Sequence, residues 1–203
     1  DALERELREL EDRYPLLADP NSPTRRVGAA PVAAFAKIRH NVPMLSLDNA
    51  YSTGELAEWD NRVRRGLEGA QPTYTAELKV DGLSLALRYE GRTLAEALTR
   101  GDGETGEDVT ENARTIADIP LTLPADAPEH VEVRGEAFLS RRRWEELNLQ
   151  RDARGEPRFA NPRNAASGTL KLLDSRIVAE RRLQFLPWQL LGAPRHGAAM
   201  EQL

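Results

Sequence analysis

Apolar residues recur along this chain at two different periods, and the switch between them falls near residue 74. Residues 1–13 set Leu3, Leu7 and Leu10 at helical spacing among charges, which predicts an amphipathic helix. Pro15, Pro20, Asn21, Ser22 and Pro23 then predict a loop, and residues 28–31 a further break. Residues 43–49 read as extended. Thr53 is placed to cap a helix that carries Leu56, Trp59, Val63 and Leu67 on one face, with Glu55 in its first turn.

From residue 74 the period is two. Tyr74, Ala76, Leu78 and Val80 alternate with Thr75, Glu77, Lys79 and Asp81, which predicts a strand. Asp81-Gly82 turns the chain into a second strand over 83–89, and Glu90-Gly91 turns it into a third over 93–99. A Gly-rich loop follows, then a helix over 109–116 and a linker with Pro120, Pro124 and Pro128. A strand over 131–136 ends on Glu136. Beyond it come a helix near 142–149, mixed loop and helix signals over 161–173, and an apolar final strand over 183–191. Hairpin-joined strands with helices between the groups predict an α+β fold of mainly antiparallel sheet, without internal repeats.

Composition narrows the picture. A chain of 203 residues holds one large domain, or one domain plus a fragment. With 40% hydrophobic and 30% charged residues it reads as a globular protein in water, with no apolar run fit to span a bilayer and no visible secretory signal. Zero cysteines exclude disulfides and thiolate metal sites. His40, His130 and His196 have no ligand spacing and read as structural or exposed. The net charge of −5 is uneven: residues 141–182 hold eleven Lys or Arg against six Asp or Glu. That region is either a site for phosphates or a solvated helical face.

Three lysines stand against twenty-five arginines, and one of them is Lys79 in Glu77-Leu78-Lys79-Val80-Asp81-Gly82. Arg supplies permanent charge, whereas Lys can lose its proton and attack. Alternation puts Glu77, Lys79 and Asp81 on one face. Two flanking carboxylates favour the ammonium, so a nucleophilic Lys79 needs a nearby cation. A divalent metal held by those carboxylates, directly or through waters, meets that need. This points to phosphoryl or nucleotidyl transfer rather than to Schiff-base chemistry. The plainer alternative is a surface ladder of opposite charges beside a turn.

Three other stretches carry candidate chemistry. Gly101, Gly103 and Gly106 spell a literal G-x-G-x-x-G. However, Asp102, Glu104, Glu107 and Asp108 crowd a loop that would have to accept a pyrophosphate, and no ribose-reading acid follows at the dinucleotide spacing. EF-hand spacing fails as well. A Gly-rich turn that aims Arg100 is the better local account. Glu136, beside Gly135 and on a face with Glu132 and Arg134, is either an exposed acid or a group reaching a ribose hydroxyl or a metal-bound water. Residues 160–168 pack small and amide residues around Arg163, which suits a well-ordered loop or a phosphate contact.

Taken together, Pro43-Met44-Leu45-Ser46-Leu47-Asp48-Asn49, Glu77-Leu78-Lys79-Val80-Asp81-Gly82, Thr99-Arg100-Gly101-Asp102-Gly103, Val133-Arg134-Gly135-Glu136 and Asn161-Pro162-Arg163-Asn164 resemble the bacterial NAD+-dependent DNA ligases, in family order and over nearly the whole chain. The resemblance implies a nucleotidyltransferase fold, with residues 1–34 a remnant of the NAD-specific helical subdomain and 35–203 the adenylation domain. It implies that Lys79 attacks the α-phosphate of NAD+ and carries AMP to the 5′-phosphate of a nick, where the 3′-hydroxyl displaces it. Glu77 would contact adenine, Arg100 the ribose and phosphate, and Glu136 the ribose. Ser46 and Leu47 would line the nucleotide pocket, and Asp1 would belong to the nicotinamide side. Asp81 and Glu136 would reach Mg2+ (or Mn2+) through waters. Arg163 and Lys171 would serve phosphate or DNA, Lys171 standing where the family leads one to expect Arg. The implied protein is a cytoplasmic monomer without membrane contact that acts on nicked double-stranded DNA in replication and repair. Zinc belongs only to the family's C-terminal part, which this sequence lacks. The nicotinamide-binding residues before Asp1 and the later lysine motifs are missing too, so this stretch is expected to be poor or inactive with NAD+. The alternative is a non-catalytic nucleotide- or DNA-binding module.

Overall fold

The computed structural model describes residues 2–19, 22, 24, 34–67 and 70–192. Asp1, the predicted break at 28–31 and His196 lie outside them. In chain order the elements are α1 (Ala2–Arg13), a 3-10 turn (Pro15–Leu17), β1 (Lys37–Arg39), α2 (Thr53–Gly66), β2 (Leu83–Glu90), β3 (Thr93–Thr99), β4 (Thr105–Glu107), α3 (Thr110–Ala113), β5 (His130–Phe138), α4 (Arg141–Ala153), α5 (Pro162–Leu170), α6 (Ser175–Arg181) and β6 (Gln184–Leu191). Four strands form one sheet in the order β3-β2-β5-β6, and β1 pairs with β4. Every neighbouring pair is antiparallel, as the α+β reading predicts. No described helix is long and apolar enough to cross a membrane.

The central strand β2 shows why the sheet has two unlike faces. Directly opposed residues share a face, so Leu87 lies with Val133 and Ala97, while Arg88 lies with Glu132 and Glu96. The Leu87 face is the core. Leu85, Leu87, Tyr89, Leu94, Ala97, Val131 and Ala137 meet Ile116 and Ile119 after α3, Ala165, Ala166 and Leu170 of α5, and Val178 of α6. Burying each large side chain there stabilises the fold by about 1.5–3 kcal/mol. Alanines on α5 let that helix approach the sheet closely. Asn112, buried in α3, ties the layer together by donating from Nδ2 to the carbonyls of Leu170 and Leu172, both at 2.7 Å. The opposite face carries Ser84, Arg88, Glu96, Glu132, Arg134 and Glu136.

Several expectations need correction. Residues 74–81 form no strand, although they alternate. Alternation yields a strand only where an edge offers backbone partners, and β2 is already flanked by β3 and β5. Tyr74 instead packs on α2: its ring lies 5.0 Å from that of Trp59, and its hydroxyl donates to Asp60 Oδ1 at 2.5 Å. Ser52, not Thr53, caps α2. Its Oγ accepts from Glu55 N, while the Glu55 carboxylate reaches back to Tyr51 N. Glu136 lies inside β5, which runs on to Phe138, because Ala137 and Phe138 still pair with β6. The helix expected over 109–116 shortens to α3, and α6 and the β1–β4 pair were not foreseen.

Asn112→Leu removes a buried donor from two carbonyls. We expect it to cost about 1–3 kcal/mol in urea unfolding; an unchanged midpoint would mean that those carbonyls find other partners.

Candidate active site

The polar face is built around two guanidinium groups. Arg134 is almost wholly buried, its side chain 4% accessible. Its Nε donates to Glu132 Oε1 at 2.8 Å, Nη1 to Pro43 O at 3.1 Å, and Nη2 to Val42 O at 2.5 Å. Arg88 donates to Glu96 Oε2 at 2.7 Å, to Glu132 Oε2 at 3.3 Å and to Arg39 O at 2.9 Å. A buried charge is tolerable only when paired and fully hydrogen-bonded. Here carboxylates supply the counter-charge, and backbone carbonyls of residues 39–43 take the remaining donors. Residues 39–44 are thereby drawn across the sheet as a strap, with Met44 buried beneath them.

The strap in turn braces the Gly-rich loop. His40 N donates to Glu104 O and Met44 N to Gly103 O, both at 2.8 Å. Gly101 sits at φ +58, and a Cβ there would stand 1.8 Å from Thr105 O, so only glycine fits this turn. Asp102 Oδ1 accepts from Glu104 N at 2.9 Å and Thr105 N at 2.8 Å, the self-closing bond of an Asx turn. Those two amides, that of Thr105 first, hold its carboxyl below the ordinary value of 3.8. The loop therefore spends its acid and amides on its own shape. Arg100 emerges from it with Nη1 3.2 Å from Ser46 Oγ, which joins two of the predicted residues.

A second group forms where the chain enters β2. Glu136 accepts from Gly82 N at 3.1 Å through Oε1 and from Ser84 Oγ at 2.7 Å through Oε2. A Cβ on Gly82 would lie 2.2 Å from Ala137 O, so the approach that brings Glu136 to this backbone requires glycine. Arg163, in the first turn of α5, places Nε 3.4 Å from Asp81 Oδ1, with both side chains exposed. Asn161 caps that turn by accepting from Asn164 N. Two residues before Asp81, Lys79 is open to solvent, as is Glu77, and neither has an ion pair or hydrogen bond among the described residues.

The fold thus joins Ser46 to Arg100, Asp81 to Arg163, and Glu136 to the backbone just past Asp81. Leu47 is exposed without closing a pocket wall. Lys171 lies apart from these contacts, its Nζ 2.5 Å from Glu107 Oε2 of β4. Among the described residues no cluster of three or more His, Asp or Glu stands ready to hold a metal directly. Sequence reasoning overlooked Ser84, whose main-chain carbonyl also accepts Arg100 N at 3.2 Å, so that it links the two groups. Its signal was a lone hydroxyl in the apolar run Leu83-Ser84-Leu85-Ala86-Leu87. Arg88 gave no signal distinguishing it from a surface arginine.

Comparison with known proteins shows the family. The family described as NAD-dependent DNA ligase adenylation domain matches residues 32–202, and the family described as DNA ligase-like, N-terminal NAD+-binding domain matches residues 1–28. The chain is 52% identical over its whole length to the DNA ligase of Solibacter usitatus and 47% identical to that of Anoxybacillus flavithermus. It is 50% identical, over 95% of its length, to the DNA ligase of Geobacter metallireducens. It spans 31%, 30% and 30% of those three proteins respectively.

Arg134→Met strips Glu132 of its closest cation and frees the Val42 and Pro43 carbonyls. A loss of about 3–5 kcal/mol in chemical denaturation is expected; a neutral result would show that the strap does not depend on this residue. Asp102 provides a pH test. A depressed carboxyl contributes stability above its ordinary value of 3.8 and loses it as pH falls through the lower folded value. Carboxyl NMR should place the Asp102 midpoint below 3.8, and Asp102→Asn should remove that acid-side loss from the loop amides.

Proposed function

The chain belongs to the family of NAD-dependent DNA ligase adenylation domains, and we propose that Lys79 is the nucleophile by which it takes AMP from NAD+, in a protein that seals nicks in duplex DNA. The observation that carries this reading is the gathering of Arg163, Glu136 and Arg100 around the segment that follows Lys79. In the first step the unprotonated Nζ attacks the α-phosphorus of NAD+. A P–N bond forms, the P–O bond to nicotinamide mononucleotide breaks, and the electron pair leaves on that phosphate while the amine sheds a proton. AMP next passes from Lys79 to a 5′-phosphate, and a 3′-hydroxyl then displaces it.

The position of each residue supports a part for it in this scheme. Arg100, braced against Ser46, is disposed toward ribose and phosphate oxygens, and Glu136 toward the ribose from its position beside Gly82. Glu77 and Leu47, both solvent-facing, are free to meet the adenosine. Arg163 offsets the charge of Asp81 beside Lys79 and has donors left for a phosphate. Lys171 can turn to a phosphate only by leaving Glu107. Asp1 would act on the nicotinamide side, which the match over residues 1–28 supports; the boundary proposed at residue 34 lies two residues inside the second match, which begins at residue 32.

Mg2+ needs only one or two carboxylates besides waters and substrate phosphates. Asp81 and Glu136, flanking Gly82, suit that count through water, and Mn2+ would serve likewise. Bound there, the ion would supply positive charge against the phosphates and the carboxylates around Lys79. The whole protein would work on nicked DNA, a reading supported by the names of its relatives, and would do so as a cytoplasmic monomer. Lys79 lies open to water in this chain, so adenylation by the 203 residues alone should be weak.

Incubation with adenylate-labelled NAD+ and Mg2+ tests both points. A slow AMP mass increment that vanishes in Lys79→Ala is expected. An increment indifferent to Lys79→Ala sinks the nucleophile assignment, and rapid stoichiometric labelling sinks the expectation of weak activity.

A further inference from the structure

We propose that His40 is the positioning residue that aims Arg100; its bearing on nucleotide binding rests on the reading of Arg100 given above. His40 is buried, with Nε2 3.1 Å from Thr99 O and 3.2 Å from Arg100 O. Carbonyl oxygens only accept, so Nε2 must carry the proton and share it between two successive peptides. Nδ1 is buried without a hydrogen-bond partner among the described residues. A proton on Nδ1 would find no acceptor, which selects the same tautomer.

The hold is exerted at both ends of the loop. The imidazole grips the carbonyls where β3 gives way to the Gly-rich turn, while the backbone N–H of the same residue donates to Glu104 O at 2.8 Å, past the turn. Arg100 is fixed through its whole peptide. Its N–H goes to Ser84 O at 3.2 Å, and its carbonyl takes the imidazole and Gly103 N at 3.0 Å. What freedom remains lies in the side chain, and Ser46 meets that at 3.2 Å. Room for the ring comes from Gly106, where a Cβ would stand 3.1 Å from His40 Nε2 and 1.9 Å from Thr99 O. Residues on the strap and the loop thus converge on one imidazole, and its N–H is the only side-chain donor to the Arg100 carbonyl among the described residues.

The test uses the 203-residue chain in two arms. His40→Phe keeps a planar ring and removes the donor, whereas His40→Gln restores N–H groups that can reach both carbonyls. In the ligand-free protein, amide hydrogen exchange at Gly103, Glu104 and Met44 should quicken about tenfold or more in His40→Phe, while the β2–β5 amides keep their protection. His40→Gln should recover most of the difference. Unchanged loop exchange in His40→Phe overturns the proposal, as does a uniform loss of protection across the sheet that His40→Gln fails to reverse. In the second arm AMP is titrated into wild type, His40→Phe, Arg100→Ala and the double variant. If His40 acts through Arg100, the double variant binds AMP no more weakly than Arg100→Ala alone, whereas independent effects multiply and overturn the proposal. Full AMP affinity in Arg100→Ala refutes the role given to Arg100, and the exchange arm still decides whether His40 holds the loop.

Discussion

Arg134 is a cation out of reach of water, and the polar side of the sheet is arranged to satisfy it. Its pairing with Glu132 balances one charge but leaves donors over, and the carbonyls of Val42 and Pro43 take them. An isolated buried guanidinium would be prohibitively costly, so the strap cannot lift away without exposing both the cation and its carboxylate to a mismatch. Arg88 repeats the arrangement one strand over and binds Arg39 O. With the strap in place, His40 and Met44 meet the Gly-rich loop, and the loop delivers Arg100 to Ser46. A chain of dependence runs from a buried ion pair to a surface arginine.

The same sheet separates stability from chemistry. Its apolar face rests on α3, α5 and α6 and accounts for most of the burial, while its polar face holds the ion pairs of Arg88 and Arg134 and the carboxylate of Glu136. Both depend on β2, whose alternating side chains serve the two faces from one strand. Ser84 shows how closely the roles are interleaved: its hydroxyl binds Glu136, its carbonyl binds Arg100, and its neighbour Leu85 is wholly buried. Lys79 stands outside this framework, on a segment tied to α2 through Tyr74. The residues proposed to support adenylation are therefore held by hydrogen bonds, while Lys79 is not enclosed.

How much of this was legible depended on the range of the interaction concerned. Strands β2, β3 and β5 announced themselves because period two, turn residues and burial all coincide in them. The alternation at 74–81 carried the same local signal and yet produced no strand, since pairing needs an edge that local sequence cannot supply. The cap of α2 moved by one residue because Ser52 and Thr53 are both competent and only the backbone geometry selects between them. Glu136 and Arg163 drew attention through their neighbours, Gly135 and the small residues of 160–168, but those neighbours left a plain structural alternative open, and only the resemblance to DNA ligases chose between the two. His40 was passed over as a solitary histidine.

By itself the sequence determined the α+β class, the central antiparallel strands, the rejection of a dinucleotide-binding turn, and the motif series that marks an adenylation domain. The first three follow from short-range rules, namely periodicity, turn chemistry and spacing, which act within a few residues of one another, while the motif series speaks only through its resemblance to DNA ligases. Only the tertiary structure decided that Glu132 and Arg134 are buried rather than solvated, that Lys171 spends its charge on Glu107, and that Gly82 must be glycine to approach Ala137. Each of those outcomes depends on groups far apart in the chain meeting, and around Arg134 and Gly82 they meet in a place from which water is excluded. There the cost of an unpaired charge or a clashing Cβ exceeds any local preference.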